Sequence, residues 1–204
     1  MAIPQTTQRL TEAEYLGIER AAEFKSQFYD GEMFAMAGGT LRHSLIAANL
    51  IQAVGSQLRG RPCRVFTADL RLKVEASGLL TYPDLSVICG LPEFAAGTDD
   101  TVVNPTLIVE VLSDSTEAFD RGRKFEHYRR MPALREYLLV SQHEPRIEQY
   151  VRREAGRWEL QEAAGLDASL ALPSLGVTLA LAGVFEGVEF SPLPLPATPP
   201  PRPI

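Results

Sequence analysis

Two acidic residues of this 204-residue chain stand inside apolar runs where a charge is costly. Asp84 lies in Tyr82-Pro83-Asp84-Leu85-Ser86-Val87-Ile88, and Glu110 lies in Leu107-Ile108-Val109-Glu110-Val111-Leu112. Runs rich in Val, Ile and Leu and bounded by turn residues predict strands buried on both faces. A carboxylate desolvated there without a partner costs several kcal/mol, so each acid needs a positive group. Two such acids on neighbouring strands point to a divalent cation. Hard carboxylate oxygens suit Mg²⁺, with Mn²⁺ as a substitute, and the backbone carbonyl of Val111 is a candidate third ligand.

Lys124 follows on a predicted helix, with Asp120 and Tyr128 four residues to either side and therefore on the same face. An ammonium aimed at the metal could align a water and offset charge developing on a phosphoryl oxygen. The competing reading is an exposed helix ion pair with Asp120, worth a few tenths of a kcal/mol. Glu32, just after a turn, and His43, opening a second helix, are candidate catalytic, outer-shell or second-metal groups, or else surface residues. Asp69, on the polar side of an alternating strand, is a further candidate.

The elements that must position these groups follow from periodicity and turn chemistry. Thr11 and Glu14 have capping-box spacing and open a short helix. Residues 27–37 read as a hairpin about an Asp30-Gly31 turn. Apolar residues at helical spacing predict a helix over 41–58, stopped by Gly60-Arg61-Pro62. Residues 63–74 alternate as one strand, with Phe66, Ala68, Leu70, Leu72 and Val74 on one face. The Asp84 strand, a loop over 90–105, the Glu110 strand and a helix over 116–130 come next. Strands at 136–140 and 146–151 follow, then a looser β region over 158–188. The helix joining the Glu110 strand to the 136–140 strand predicts a right-handed crossover, hence a mixed sheet with the acids near its centre.

Residues 1–190 read as one domain, and 191–204, about half proline, as a flexible tail without chemistry of its own. A net charge of -6 argues against a surface that tracks nucleic acid throughout. Basic residues are instead local, at Arg59, Arg61 and Arg64, and at Arg121, Arg123, Lys124, Arg129 and Arg130. No apolar stretch approaches the roughly 20 residues of a membrane span, and the N-terminus lacks a secretory pattern. A cytoplasmic location is expected, with Cys63 and Cys89 as reduced thiols serving as small apolar residues.

Together these residues resemble the Uma-type family of endonucleases, a bacterial branch of the PD-(D/E)XK restriction-endonuclease-like superfamily. The segments that carry the resemblance are Tyr29-Asp30-Gly31-Glu32, His43, Tyr82-Pro83-Asp84-Leu85-Ser86-Val87 and Leu107-Ile108-Val109-Glu110-Val111-Leu112-Ser113. Asp120, Lys124, Tyr128 and Glu136-Tyr137-Leu138-Leu139-Val140 complete it, so that it covers about residues 10–185. The resemblance implies an α/β restriction-endonuclease-like core, a central mixed β-sheet flanked by helices, with an N-terminal helix and β-hairpin. It also implies Mg²⁺-dependent cleavage of a nucleic acid, DNA first, with Asp84 and Glu110 as the metal-binding acids. The superfamily usually has lysine two residues after the second acid, where this chain has Leu112. Lys124 reaching in from the helix would replace it, and Lys73 is a second candidate.

The leading expectation is therefore a metal-dependent DNA endonuclease with catalytic Asp84, Glu110 and Lys124, assisted by Glu32 and His43. Leu112 and the acidic charge motivate an alternative, a non-catalytic nucleic-acid-binding or assembly module on the same scaffold. A metal-dependent hydrolase of small phosphoesters is a third reading. A symmetric homodimer is expected if both strands of a duplex are cut.

Overall fold

The computed structural model describes residues 9–36 and 38–190; the expected proline-rich tail at 191–204 and the first eight residues of the expected domain lie outside it. Helix α1, Glu12–Ala21, starts at a reciprocal capping box. The Thr11 hydroxyl accepts from the Glu14 N–H at 3.2 Å, and the Glu14 carboxylate accepts from the Thr11 N–H at 2.8 Å. Strands β1, Ser26–Tyr29, and β2, Glu32–Ala35, form the expected hairpin. Its turn needs positive φ at both central residues, supplied by Asp30 at 49° and Gly31 at 82°. Helix α2, Leu41–Gln57, buries Ile46, Leu50 and Val54 along one stripe and is capped by the Thr40 hydroxyl.

The chain continues through β3, Cys63–Thr67, β4, Arg71–Val74, β5, Leu79–Thr81, β6, Leu85–Cys89, β7, Thr101–Val102, and β8, Leu107–Val111. A crossover helix leads to β9, Glu136–Val140, which is followed by β10, Arg146–Arg152, β11, Trp158–Ala164, β12, Ser169–Leu172, and β13, Val177–Ala180. A six-stranded sheet runs β11-β10-β9-β8-β6-β3, and a five-stranded sheet runs β2-β1-β5-β4-β7. In the larger sheet β8 and β9 are parallel while the other neighbours are antiparallel. The expected mixed sheet, with its crossover helix between parallel neighbours, is therefore the one this chain forms.

All five residues of β8 are buried, and their alternation divides the molecule. Leu107, Val109 and Val111 join a core with α2 and residues 170–185, whereas Ile108 faces Leu112, Tyr128, Met131 and Tyr137 beneath the crossover helix. Each fully buried aliphatic side chain contributes roughly 1.5–3 kcal/mol. Glu110 lies on the crossover-helix side.

Four local expectations need correction. The 90–105 loop contains strand β7, which pairs with β4. Residues 63–74 are two strands in different sheets, broken where the Leu70 N–H returns to the Thr67 carbonyl. The alternating pattern ran across the break because Ala68 and Leu70 kept the period of two. The 116–130 helix is uneven: it begins as Glu117–Phe119, widens to a π turn over Asp120–Lys124, and ends as Phe125–Tyr128. Cys63 and Cys89 are not free thiols but a disulfide. The antiparallel register of β3 and β6 sets them directly opposite, with Cα atoms 3.9 Å apart. Their separation of 26 residues in sequence concealed that juxtaposition.

Candidate active site

Asp84 occupies the point where the chain leaves the smaller sheet after β5 and enters the larger one at β6. The ladder pairs Leu85 with Val109, so one further step sets Asp84 opposite Glu110. Side chains directly opposite on antiparallel strands share a face. The Asp84 carboxylate accepts from the Val111 N–H at 2.7 Å and meets His43 Nε2 at 3.2 Å. The mouth lies here, since the Asp84 and His43 side chains each keep 18% of their surface exposed.

Glu110 is the deeper acid. Lys124 Nζ stands 2.8 Å from its Oε1, and the Tyr128 hydroxyl donates to the same oxygen at 2.9 Å. The ammonium also approaches Asp120 Oδ1 at 3.1 Å, yet that oxygen is buried and has no hydrogen bond of good geometry. The exposed ion pair considered for Lys124 is thus excluded, because Lys124, Glu110 and Asp120 are all buried. The π turn supplies both Asp120 and Lys124, and the Tyr137 hydroxyl of β9 pins it by donating to the Asp120 carbonyl at 3.0 Å. Widened turns of this kind recur at functional sites.

Electrostatics follow from this packing. Burial pushes the Glu110 carboxyl up to about 8, reinforced by Asp120 and Asp84 and opposed by Lys124. Burial also works against the Lys124 charge, but Glu110 and Asp120 more than offset it and hold the ammonium above the ordinary lysine range. The hydrogen bond to Asp84 raises the His43 imidazole. Three carboxyl groups thus crowd one ammonium and one imidazole in a low-dielectric site, and burial keeps the deepest of them, Glu110, protonated near neutral pH.

Such a cluster suits a divalent cation, which binds the carboxylate form. Asp84, Glu110 and the Val111 carbonyl offer hard oxygens, and the orphaned Asp120 oxygen is spare acceptor capacity beside them. Among the described residues no three His, Cys, Asp or Glu side chains form a ready-made cage. Two carboxylates with remaining positions for water and phosphate match Mg²⁺ better than a closed transition-metal site.

The other candidates lie elsewhere. Glu32 is exposed on edge strand β2, opposite Tyr29, whose ring meets His127 of the crossover helix at 4.6 Å. That pairing brings the hairpin against the helix without placing the Glu32 carboxylate in the centre's hydrogen bonds. Asp69 sits in the turn between β3 and β4, paired with Lys25. Lys73 bonds Glu12 at 2.7 Å in the smaller sheet. Leu112, at the usual lysine position, is buried in the core under the crossover helix.

Sequence reasoning placed Asp120 and Tyr128 on the lysine's face and paired Asp120 with Lys124 as an exposed ion pair, but gave Tyr128 no partner. It gave Gly39 no part in the site. A Cβ there would stand 2.6 Å from His43 Nδ1, so the imidazole packs on bare backbone. The Gly38-Gly39 pair before the Thr40 cap was the available signal.

Residues 12–182 match the family model Uma2, described as "Putative restriction endonuclease". The chain belongs to the Uma2 family. Two relatives are uncharacterized proteins of Synechocystis sp. One is 38% identical over 170 residues, covering 83% of this chain and 96% of that protein. The other is 36% identical over 182 residues, covering 89% and 94%. Among solved structures, the crystal structure of a protein described as a putative nuclease belonging to DUF820, from Anabaena variabilis, superposes with a TM-score of 0.71. It is 20% identical and the match covers 86% of this chain and 97% of that one, which establishes the Uma2 member's fold. Among the described residues no helix is long and apolar enough to cross a membrane.

Proposed function

We propose that this Uma2 chain is a Mg²⁺-dependent DNA endonuclease whose cationic catalytic residue comes from the crossover helix. The observation that carries the reading is Lys124 Nζ at 2.8 Å from Glu110, on the strand beside the one that Asp84 opens. The lysine absent at position 112 is thereby replaced in space. Family membership supports hydrolysis of a nucleic acid, and the oxygen donors support the ion.

Asp84, Glu110 and the Val111 carbonyl would hold Mg²⁺, which supplies polarisation of the scissile phosphate and a more acidic bound water. The chain's own residues prepare that position. Val111 N–H and His43 fix the Asp84 carboxylate from two directions, so that it loses little freedom when it binds. Tyr128 and Lys124 converge on Glu110 Oε1 and leave Oε2 as its free oxygen. The Lys124 ammonium, kept charged by Glu110 and Asp120, would hydrogen-bond the attacking water or a phosphoryl oxygen as negative charge grows there. His43, at the mouth, would take up or release a proton beside Asp84. Glu32 would act, if at all, on nucleic acid crossing the hairpin edge.

The test is calorimetric titration of Mg²⁺ and Mn²⁺ into wild type, Asp84→Ala, Glu110→Ala and Lys124→Ala, with plasmid cleavage measured on the same samples. Metal binding should vanish in both acid variants and cleavage in all three. Cleavage that persists in Asp84→Ala and Glu110→Ala overturns the reading. Duplex binding by wild type without metal-dependent cleavage would identify the non-catalytic scaffold that Leu112 favours. Light scattering with and without duplex tests the proposed homodimer.

A further inference from the structure

The acidic chain concentrates arginine at one end of its larger sheet, away from the metal-binding acids. Arg129 and Arg130 follow the crossover helix, Arg135 precedes β9, β10 ends at Arg152 with Arg153 just after it, and Arg157 precedes β11. Backbone bonds make these neighbours in space: the Arg152 N–H donates to the Arg135 carbonyl, and the Arg153 N–H to the Arg157 carbonyl. One Arg152 guanidinium nitrogen donates to the carbonyls of Arg129 at 2.5 Å and Met131 at 2.8 Å. Its carbon stands 4.8 Å from the centre of the Trp158 ring, while its Nε is buried without a partner.

Acids offset only part of this charge. Arg130 pairs with Glu126 at 2.9 Å and Arg153 with Glu159 at 2.6 Å. Among the described residues Arg129, Arg135, Arg152 and Arg157 have no ion pair, and the other acid of the turn, Glu154, makes none. Burial, and then the like charge of Arg135, pull the Arg152 guanidinium below its ordinary range, as happens when no anion lies between two such groups. Arg129, Arg135 and Arg157 are exposed.

The placement gives the patch a direction. Along β9, Arg135 shares the face of Tyr137 and Leu139, and along β10, Arg152 shares the face of Tyr150. Tyr137 and Leu139 lie beneath the crossover helix, as Glu110 does. The β8–β9 register puts Leu107 opposite Glu136, so Arg135 is four residues of strand below Glu110. That is about 13 Å at roughly 3.3 Å per residue, before side-chain reach. Half a turn of duplex spans about 17 Å, and each strand offers a charge every 3.4 Å or so of axis.

We infer that this arginine end of the sheet is a second nucleic-acid-binding surface, which grips the phosphate backbone of the duplex about half a turn from the cleavage position. It deepens the nuclease reading and rests on that reading for the nature of its partner. The exposed guanidinium groups take phosphates, and the Arg152–Trp158 stack holds the β10 end rigid between them.

The experiment measures binding of fluorescein-labelled duplexes by anisotropy in EDTA, across a salt series, for wild type and the triple variant Arg129→Gln/Arg135→Gln/Arg157→Gln. A duplex of about two turns reaches both regions. Each phosphate that the protein no longer neutralises lowers the salt slope by about 0.9, so the slope of the triple variant should fall by about 2 to 3 on that duplex. Arg59→Gln/Arg64→Gln should keep the full slope. An unchanged slope in the triple variant, or an equal fall in the Arg59/Arg64 control, overturns the proposal. So does binding of phosphatidylserine vesicles, but of no duplex, that the triple variant abolishes. The two readings fail separately. Wild-type cleavage with an unchanged slope removes the second surface alone, and a reduced slope without cleavage by any sample removes the catalytic reading alone.

Discussion

Metal binding should expel a proton from Glu110. Burial holds this carboxyl near 8, so without metal it keeps its proton in about nine molecules of ten at pH 7, in half at pH 8 and in about one of ten at pH 9. A cation binds the carboxylate form. Mg²⁺ binding should therefore release about 0.9 proton at pH 7 and about 0.1 at pH 9 from this group, and affinity should rise nearly tenfold per pH unit up to about 8. That slope corresponds to about 1.4 kcal/mol per unit. The sign for stability is complementary. The unfolded carboxyl ionises near 4.5, so the metal-free fold loses stability as pH climbs from there through about 8, and bound metal restores it. Calorimetry in buffers of different ionisation enthalpy counts the protons directly. His43, raised by Asp84, adds release of the same sign, so His43→Gln isolates the Glu110 contribution. Metal binding by that variant with no proton release at pH 7, or with an affinity flat between pH 6.5 and 8, would refute the reasoning.

Three further outcomes rest on the same geometry. Lys124→Met removes the cation between two buried acids. Urea denaturation in EDTA at pH 9 should show a destabilisation of about 3 kcal/mol, shrinking at pH 6 as Glu110 takes up its proton, and cleavage should fall at least 10²-fold. Gly39→Ala brings a methyl group against the His43 ring and displaces it from Asp84, so the imidazole titration followed by NMR should move down from its raised position. Closing 26 residues of chain through Cys63 and Cys89 should stabilise by about 3 kcal/mol. Dithiothreitol should lower wild-type stability by that order and leave Cys63→Ala/Cys89→Ala unchanged.

The acids could be read from the chain because a carboxylate among Leu, Ile and Val announces its own cost, and Lys124 because a helix must follow the second acidic strand. The neighbouring placement of the two acids was a premise of the sequence reading, and β6 and β8 do pair. What stayed hidden depends on register or on helix winding. Cys63 and Cys89 meet only because β3 and β6 pair in one particular register, which no local signal prints. The break at Ala68-Asp69-Leu70 was masked by apolar residues that kept the alternation. Periodicity placed Lys124, Asp120 and Tyr128 on one face but could not show a π turn there. Nor could it show that Lys124 touches Glu110 and Asp120 at once, since that depends on how deeply the helix sits.

The π turn has a consequence for how this centre could have arisen and can still vary. A widened turn is what an α-helix becomes when one residue is inserted and the flanking turns keep their phase. Here the widened turn carries Asp120 and Lys124 against Glu110, and the Tyr137 hydroxyl donates to the Asp120 carbonyl from the sheet. The helix's hold on the Lys124 ammonium is therefore borrowed from strand β9. Exposed Gly122 and Arg123, inside the same turn, touch nothing that their substitution would disturb. Tyr137, which reads as one more core aromatic, carries the hydrogen bond that holds the turn.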